Sequence, residues 1–299
     1  MNDRVLITGI NGFIGQSLAN KLLNLGMQVI GFSRNPIDNN SNKNLILENV
    51  DILDAEKVEK VVLKYKPSYV IHCAAIAQVT HNNISDFYQV NVVGTDILLN
   101  ALSKHSTDQV RTVLFSTAGV YGGGPDYYKK ETSPCLPGNH YSISKLAMEK
   151  LCQMYTSELN VTIVRPFNII GKNQQSNFVI SKIYNAFKSR QSILNMGDID
   201  TIRDFVPVNV CAEITTDILL NHADCSLVNI CSGVGTSIRE ALSIFTKIYN
   251  YCPEIVINNS FIRRNEIKSL IGDPSYMYTV TNNKFKIPEV YDIFADFAK

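Results

Sequence analysis

Tyr141 and Lys145 stand four residues apart in the run Tyr141-Ser142-Ile143-Ser144-Lys145, a spacing that puts both side chains on one face of a helix. A phenol ionises at about pH 10 in water, too high for ready proton exchange near neutrality. A fixed ammonium beside it favours the phenolate and lowers that value. Upstream, Phe115-Ser116-Thr117 closes an aliphatic run and supplies hydroxyls for a substrate oxygen. At the start of the chain, Thr8-Gly9-Ile10-Asn11-Gly12-Phe13-Ile14-Gly15 carries three glycines at three-residue spacing. The first suits a tight turn, the second lets backbone approach a diphosphate, and the third lets helix and strand pack closely. The unpaired N–H groups of the helix start then hold the anion. Each motif alone is weak: Tyr-x-x-x-Lys recurs on exposed helices, and a glycine trio also fits an ordinary strand-turn-helix. Together they specify a dinucleotide beside a proton-transfer pair.

Such a pair needs a βα frame, and the first half of the chain alternates accordingly. Val5 to Ile7 reads as a strand, and Ile14, Leu18, Leu22 and Leu25 recur with a helical period behind the glycine turn. Met27–Phe32 reads as the second strand. Leu45–Val50 reads as the third, after an Asn-rich loop over 35–44. Asp54 caps a helix to about Tyr65, and Tyr69–Cys73 is strand four. Phe87, Val90, Gly94, Ile97 and Ala101 mark one helix face. Val110–Phe115 is strand five, Tyr141–Leu159 a helix, and Val161–Val164 strand six. Repeated βα units force a parallel sheet covered on both faces, here a Rossmann-type doubly wound α/β fold. Its ligands lie at the carboxyl ends of the strands, near the switch point. Helices over 178–190 and 210–220 follow, with a last strand at Leu227–Ile230. A capping box, Ser237 to Glu240, opens a helix to about Tyr249. The predicted division is a dinucleotide-binding domain over 1–167, with about 206–231 returning to it, and a smaller α/β substrate domain over 168–299.

Composition narrows the partners. At 299 residues the chain suggests two domains of about 150. A formal charge of +1 offers no surplus for nucleic acid. No apolar run approaches the roughly 20 residues of a membrane span, so no membrane partner is expected. Seven cysteines without a C-x-x-C pair point to a reducing compartment, and the expected location is cytoplasmic. His72, His81, His105, His140 and His222 lack metal-like spacing, so no metal is expected. His72 reads as packed at a strand end, and His140 as shaping the cleft before Tyr141.

The strand ends supply the remaining candidates. After strand two the chain reads Ser33-Arg34 where an NAD-preferring site usually has an acid for the ribose 2′-hydroxyl. Arg34 suits a 2′-phosphate through its charge and fork, which favours NADP(H) with NAD(H) as the alternative; the bland reading of this position is a solvated loop arginine. Asp51-Ile52 after strand three either flank the adenine or only shape the loop. Ala74 and Ala75 after strand four are small enough for backbone to lie against a cofactor.

The chain resembles the extended short-chain dehydrogenase/reductases, the nucleotide-sugar epimerase, dehydratase and reductase group. TGINGFIG, HCAA (72–75), NVVGT (91–95), FSTAGVYG (115–122), YSISK, RPFNIIG (165–171), IRDFVPV (202–208) and VNICSGVGTSI (228–238) carry the likeness nearly end to end. GFSRN, RPFNIIGKNQQSNFV, MGDIDTIRDF and RRNEIKSLIGD resemble more narrowly the GDP-4-keto-6-deoxy-D-mannose reductases. The resemblance implies that Thr117, Tyr141 and Lys145 are catalytic: Thr117 on the substrate oxygen, Tyr141 as proton donor, Lys145 on the nicotinamide ribose. It implies cofactor contacts from Gly9, Asn11, Gly12, Phe13, Ile14, Gly15, Ser33, Arg34, Asp51, Ile52, Ala74, Ala75, Tyr141 and Lys145. Thr117, Asn168, Phe178, Val179, Arg203 and Arg263 would meet a nucleotide sugar, with GDP-linked favoured and the two arginines on its diphosphate. Arg203 reads alternatively as an ion pair with Asp204, and Arg263-Arg264 as a solvated surface pair. Relatives of this kind also imply a homodimer through a bundle that includes the Tyr-x-x-x-Lys helix.

One departure matters. The 4,6-dehydratases of the group carry an Asp-Glu pair directly after the Ser/Thr. Here Ala118 and Gly119 stand there, and neither moves a proton. Dehydration is therefore not expected, and the activity the resemblance implies, with the Ser33-Arg34 loop, is NADP(H)-dependent reduction at C4 of a nucleotide-linked 4-keto-6-deoxy sugar. The alternatives are a 4-epimerase holding NAD and a non-catalytic dinucleotide-binding sensor.

Overall fold

A strand covered on both faces exposes no polar side chain, and Val5, Leu6 and Ile7 meet that demand with 1% exposure or less. In the computed structural model, which describes residues 4–34, 42–79, 81–105, 110–222, 224–261 and 266–298, they lie in β1 (Arg4–Thr8). After it come α1 (Phe13–Asn24), β2 (Gln28–Ser33), β3 (Leu45–Asn49), α2 (Ala55–Tyr65) and β4 (Tyr69–His72). Next are α3 (Ile84–Tyr88), α4 (Gly94–His105), β5 (Arg111–Phe115), the short β6 (Tyr128–Lys129), α5 (His140–Cys152) and β7 (Asn160–Pro166). The remainder holds β8 (Asn168–Ile170), α6 (Val179–Lys188), β9 (Ile193–Met196), β10 (Ile202–Pro207), α7 (Val208–Asn221), β11 (Leu227–Ile230) and β12 (Gly235–Ser237). It ends with α8 (Ile238–Tyr249), β13 (Glu254–Ile257), β14 (Ser269–Gly272), α9 (Ser275–Val280) and α10 (Val290–Ala298).

Seven strands form one sheet in the order β3-β2-β1-β4-β5-β7-β11, every pairing parallel. The chain winds outward from β1 to β3, then crosses back to β4. The β1/β4 seam is thus the switch point, where a crevice opens at the carboxyl ends. Leu18 and Leu22 of α1 pack with Ile214 and Ile218 of α7 on one face. Val58 of α2, Leu98 and Leu102 of α4, and Met148 of α5 cover the other. This is the doubly wound α/β arrangement expected from the alternation.

A second sheet is organised on β10. Ile202–Asp204 run antiparallel to β12, Ile202 and Arg203 parallel to β14, and Phe205–Pro207 parallel to β8. β14 in turn pairs with β6, so the loop between Thr117 and Tyr141 is stitched into the second sheet through Ile271–Tyr128 and Gly272–Lys129. β9 and β13 make a separate parallel pair. Among the described residues, no helix is long and apolar enough to cross a membrane, and no group of three or more His, Cys, Asp and Glu is placed to hold a metal.

Two elements differ from the sequence reading. The helix expected to run to Leu159 stops at Cys152, and a single 3-10 turn over Gln153–Tyr155 leads into β7. The helix expected through Phe87 and Ala101 is interrupted by one π turn, Gln89–Val93, between α3 and α4. A π turn adds a residue to the helical register. Here it turns the fully buried Asn91 inward, where Oδ1 accepts from Ile76 N at 2.8 Å and Nδ2 donates to Ser144 Oγ at 3.0 Å.

The capping box on α8 forms in full: Ser237 Oγ accepts from Glu240 N at 3.1 Å, and Glu240 Oε2 accepts from Ser237 N at 2.7 Å. Ser237→Ala should therefore lower stability by about 1 kcal/mol. Urea denaturation measures it, and an unchanged midpoint would contradict the cap's contribution.

Candidate active site

The glycine turn forms where β1 meets α1. Gly9 has φ +68°, and a Cβ there would lie 2.7 Å from Ala74 N, so only glycine fits between the ends of β1 and β4. A Cβ at Gly15 would lie 2.3 Å from Gly9 O, which presses the first turn of α1 onto the loop. α1 begins after Gly12 with no acidic residue in its first turn, leaving a positive helix end for an anion. Asn11 Nδ2 donates to the buried Ser33 Oγ at 2.6 Å, tying this loop to the end of β2. Arg34 follows, exposed. These features fit a dinucleotide: a tight cradle for its diphosphate, and an arginine at the strand end where the adenosine ribose lies in such folds.

Below the cradle runs a fixed polar chain. Ala74 N donates to Thr8 Oγ1 at 3.2 Å, and Thr8 Oγ1 lies 2.6 Å from His72 Nδ1. On the other side, His72 Nε2 lies 2.9 Å from Thr95 Oγ1, whose hydroxyl donates to Asn91 O at 2.8 Å. With both hydroxyls so committed, Thr8 donates to Nδ1 and Nε2 carries the ring proton. Burial, with the Lys145 charge adding to it, pushes the His72 pKa down to about 3. His72 is packed, as its strand-end position indicated, and it is neutral.

Thr117, Tyr141 and Lys145 meet at the end of β5. Asn139 caps α5, its Oδ1 accepting from Ser142 N at 2.9 Å, so the helix starts just before Tyr141. The Thr117 hydroxyl lies beside the Tyr141 phenol. Lys145, 1% exposed, points its Nζ at Phe115 O, 2.6 Å away. The expected depression of the tyrosine by the lysine is not what this site shows. Burial pushes Tyr141 up to about 12, against the opposing pull of the nearby Thr117 hydroxyl. Burial also brings Lys145 down to about 8, against the nearby Cys73, Cys152 and Glu149. The four-residue spacing brings the two side chains to one site, but the ammonium is taken by a carbonyl. Next door, Tyr88 Oη and His140 Nδ1 lie 3.0 Å apart, which fixes the residue before Tyr141.

The other candidates divide. Asp51 Oδ1 accepts from Leu53 N at 3.0 Å, the loop-shaping role, while Ile52 packs over Gly94 at the start of α4. Phe13 reaches the RPFN segment, its Cζ 3.3 Å from where a Gly171 Cβ would stand. Asn168 pairs with Phe205 across β8 and β10, and Phe178 and Val179 begin α6. Arg203 is not paired with Asp204. The Asp204 carboxylate, fully buried, accepts from Ser232 N, Ser232 Oγ, Gly233 N and Gly272 N at 2.6–3.2 Å. Adjacent residues of a strand face opposite ways, so Arg203 leaves on the other side of β10. Arg263 lies outside the described residues. The sequence reading missed a cleft of about 580 Å³ between the 123–129 loop and the 266–269 stretch. Glu266 Oε2 and Ser269 Oγ line it, enclosed and, among the described residues, without a hydrogen-bond partner.

Residues 5–231 match the NAD dependent epimerase/dehydratase family. The chain belongs to that family. It is 32% identical over 297 residues to a GDP-6-deoxy-D-talose 4-dehydrogenase of Aggregatibacter actinomycetemcomitans, covering 99% of this chain and 97% of the relative. It is 28% identical to a GDP-6-deoxy-D-mannose reductase of Pseudomonas aeruginosa, covering 97% and 93%. Among solved structures, a UDP-glucose 4-epimerase of Thermus thermophilus in complex with NAD superposes with a TM-score of 0.86 at 25% identity, over 99% of this chain and 97% of that one. As a family member the chain is an oxidoreductase of the short-chain dehydrogenase/reductase type. The family's dehydratase acids have no counterpart here, and a Cβ at Gly119 would lie 2.6 Å from Ser142 Oγ, so the packing of α5 leaves little room for one.

His72 makes stability pH-dependent with a definite sign. Its native pKa is lowered from 6.5, so below 6.5 the unfolded chain takes up a proton that the native site refuses. Stability from this residue is complete above that value and falls as the pH drops toward about 3. Between pH 7.5 and 5.5 its share of the loss should be about 1.4 kcal/mol. Urea unfolding of wild type and His72→Asn measures it. The variant should start less stable and lose less on acidification; parallel pH curves would contradict a neutral buried His72.

Proposed function

We propose that the chain is an NADP(H)-dependent reductase of a GDP-linked 4-keto-6-deoxy sugar, acting at C4 with Tyr141 as proton donor. The observation that carries this reading is the placement of Thr117, Tyr141 and Lys145 beside a dinucleotide cradle, with Ala118 and Gly119 in place of the dehydratase acids.

The bound nicotinamide supplies the hydride, and this chain's residues do the rest. Tyr141 Oη–H and Thr117 Oγ–H donate to the keto oxygen, where negative charge develops. Tyr141 then passes its proton to that oxygen. Lys145, anchored on Phe115 O, would hold the nicotinamide ribose. Glu266 Oε2 and Ser269 Oγ suit the hydroxyls of a nucleotide sugar. The two curated relatives reported above are named for GDP-linked 6-deoxyhexoses, which favours the GDP form for this chain. Arg34, with no acid at 33 or 34, supports a 2′-phosphate on the cofactor. Val93, Ile143 and Met154, 41%, 39% and 73% exposed around α4 and α5, suit a second copy in a homodimer.

Purified protein mixed with GDP-4-keto-6-deoxymannose should oxidise NADPH faster than NADH. Tyr141→Phe should reduce turnover by about 10²- to 10⁴-fold. Arg34→Glu should cut the preference for NADPH by roughly 10- to 150-fold, the worth of one hydrogen bond to a charged group. No net oxidation, with NAD retained by the isolated protein, would overturn the reductase and leave the 4-epimerase. A function that survives Tyr141→Phe unchanged would point to the sensor.

A further inference from the structure

Arg165 lies in β7, beside β5, with 5% exposure. A buried guanidinium survives only with its donors engaged, and one side of its fork is bidentate on Glu149: Nε to Oε1 at 2.9 Å and Nη2 to Oε2 at 2.6 Å. Glu149 sits on α5 four residues beyond Lys145, and its Oε1 also accepts from the Ser116 hydroxyl. The remaining Nη1 donates to Tyr121 Oη at 2.9 Å, and the guanidinium stacks 4.8 Å from the Tyr121 ring centroid. Tyr121 Oη donates in turn to Asn229 Oδ1 at 2.7 Å.

Ser116 and Tyr121 bracket Thr117. One guanidinium therefore grips both flanks of the Thr117 segment, the first through Glu149 and the second directly. Through the same carboxylate it holds the helix that carries Tyr141 and Lys145. We propose that Arg165 is a positioning residue: its fork sets the separation of Thr117 and Tyr141, so that both hydroxyls reach one substrate oxygen. Stability alone does not call for this arrangement, because an apolar trio of similar volume commonly serves a core as well or better. Geometry does, since misplacing a reacting group by about 1 Å costs on the order of 10²-fold in rate. The inference rests on the reading of Thr117 and Tyr141 as the groups that act on the C4 oxygen.

The test is a double-mutant cycle on kcat and KM. Tyr121→Phe, which keeps the ring and deletes one hydroxyl, and Arg165→Lys, which keeps the charge and loses the fork, are each made in wild type and in Thr117→Ala. Positioning predicts a fall in kcat of roughly tenfold for Tyr121→Phe and about 10²-fold for Arg165→Lys, with the KM for NADPH within about twofold. In Thr117→Ala, which no longer has the hydroxyl to misplace, both losses should shrink to about twofold or less. Equal losses in the two backgrounds, or an unchanged kcat for Tyr121→Phe, would overturn the proposal. Should Arg165→Lys fail to fold, the Tyr121→Phe arm decides alone. A wild type that interconverts C4 epimers without net oxidation would fail the reductase reading only; the cycle is then measured on that reaction, with the same two outcomes.

Discussion

Between residues 9 and 74 two strand ends come closer than any side chain allows. A Cβ on residue 9 would meet the residue 74 amide at 2.7 Å, so β1 and β4 converge only if residue 9 is glycine with its φ of +68°. That contact lies at the seam where the strand order reverses. It aims the start of α1 into the crevice, lets Ala74 N reach the Thr8 hydroxyl, and so anchors the chain of hydrogen bonds through His72 to Thr95 and Asn91. The floor of the site is thereby rigid before any ligand arrives, which is the condition under which placed hydroxyls do electrostatic work.

Buried charge around the site is matched by hydrogen-bond partners, for Asp204 and the Arg165–Glu149 pair from several elements. Asp204 gathers donors from the 232–233 turn and from Gly272, and so joins β10 to β14 and to the chain after β11. Arg165 and Glu149 gather α5, β7 and both flanks of Thr117. Lys129, 2% exposed, turns its ammonium back onto Gly124 O at 2.6 Å and stiffens the loop that crosses to the second sheet. Tyr141 and Lys145, the proposed reacting pair, stand apart from this pattern: burial displaces them in opposite directions, the phenol upward and the ammonium downward.

Much of this was legible beforehand because it follows local rules. Alternating strand and helix periods imply the parallel sheet, and the glycine spacing marks the cradle. Tyr-x-x-x-Lys marks the helix proposed to carry the chemistry, and Ser237 with Glu240 marks a cap. What was not legible depends on distance or on a one-residue shift. The π turn at Gln89–Val93 leaves the hydrophobic period almost intact, so nothing in the pattern announces that Asn91 turns inward. Tyr128–Lys129 is a strand only because Ile271 and Gly272 lie beside it. Arg203 and Asp204 are neighbours in sequence, which invites an ion pair, yet the alternation of a strand separates them. Glu149 and Arg165 are sixteen residues apart, and their pairing comes only from the packing of α5 on β7.

Transfer of deuterium is the most direct measurement of the chemistry. NADPH carrying deuterium at the transferable C4 position of its nicotinamide, incubated with this protein and GDP-4-keto-6-deoxymannose, should give a GDP-6-deoxyhexose with one deuterium at sugar C4 and one equivalent of oxidised cofactor. Recovery of the 4-ketone with the NADPH unconsumed, or no deuterium at sugar C4 from either face of the nicotinamide, would contradict it.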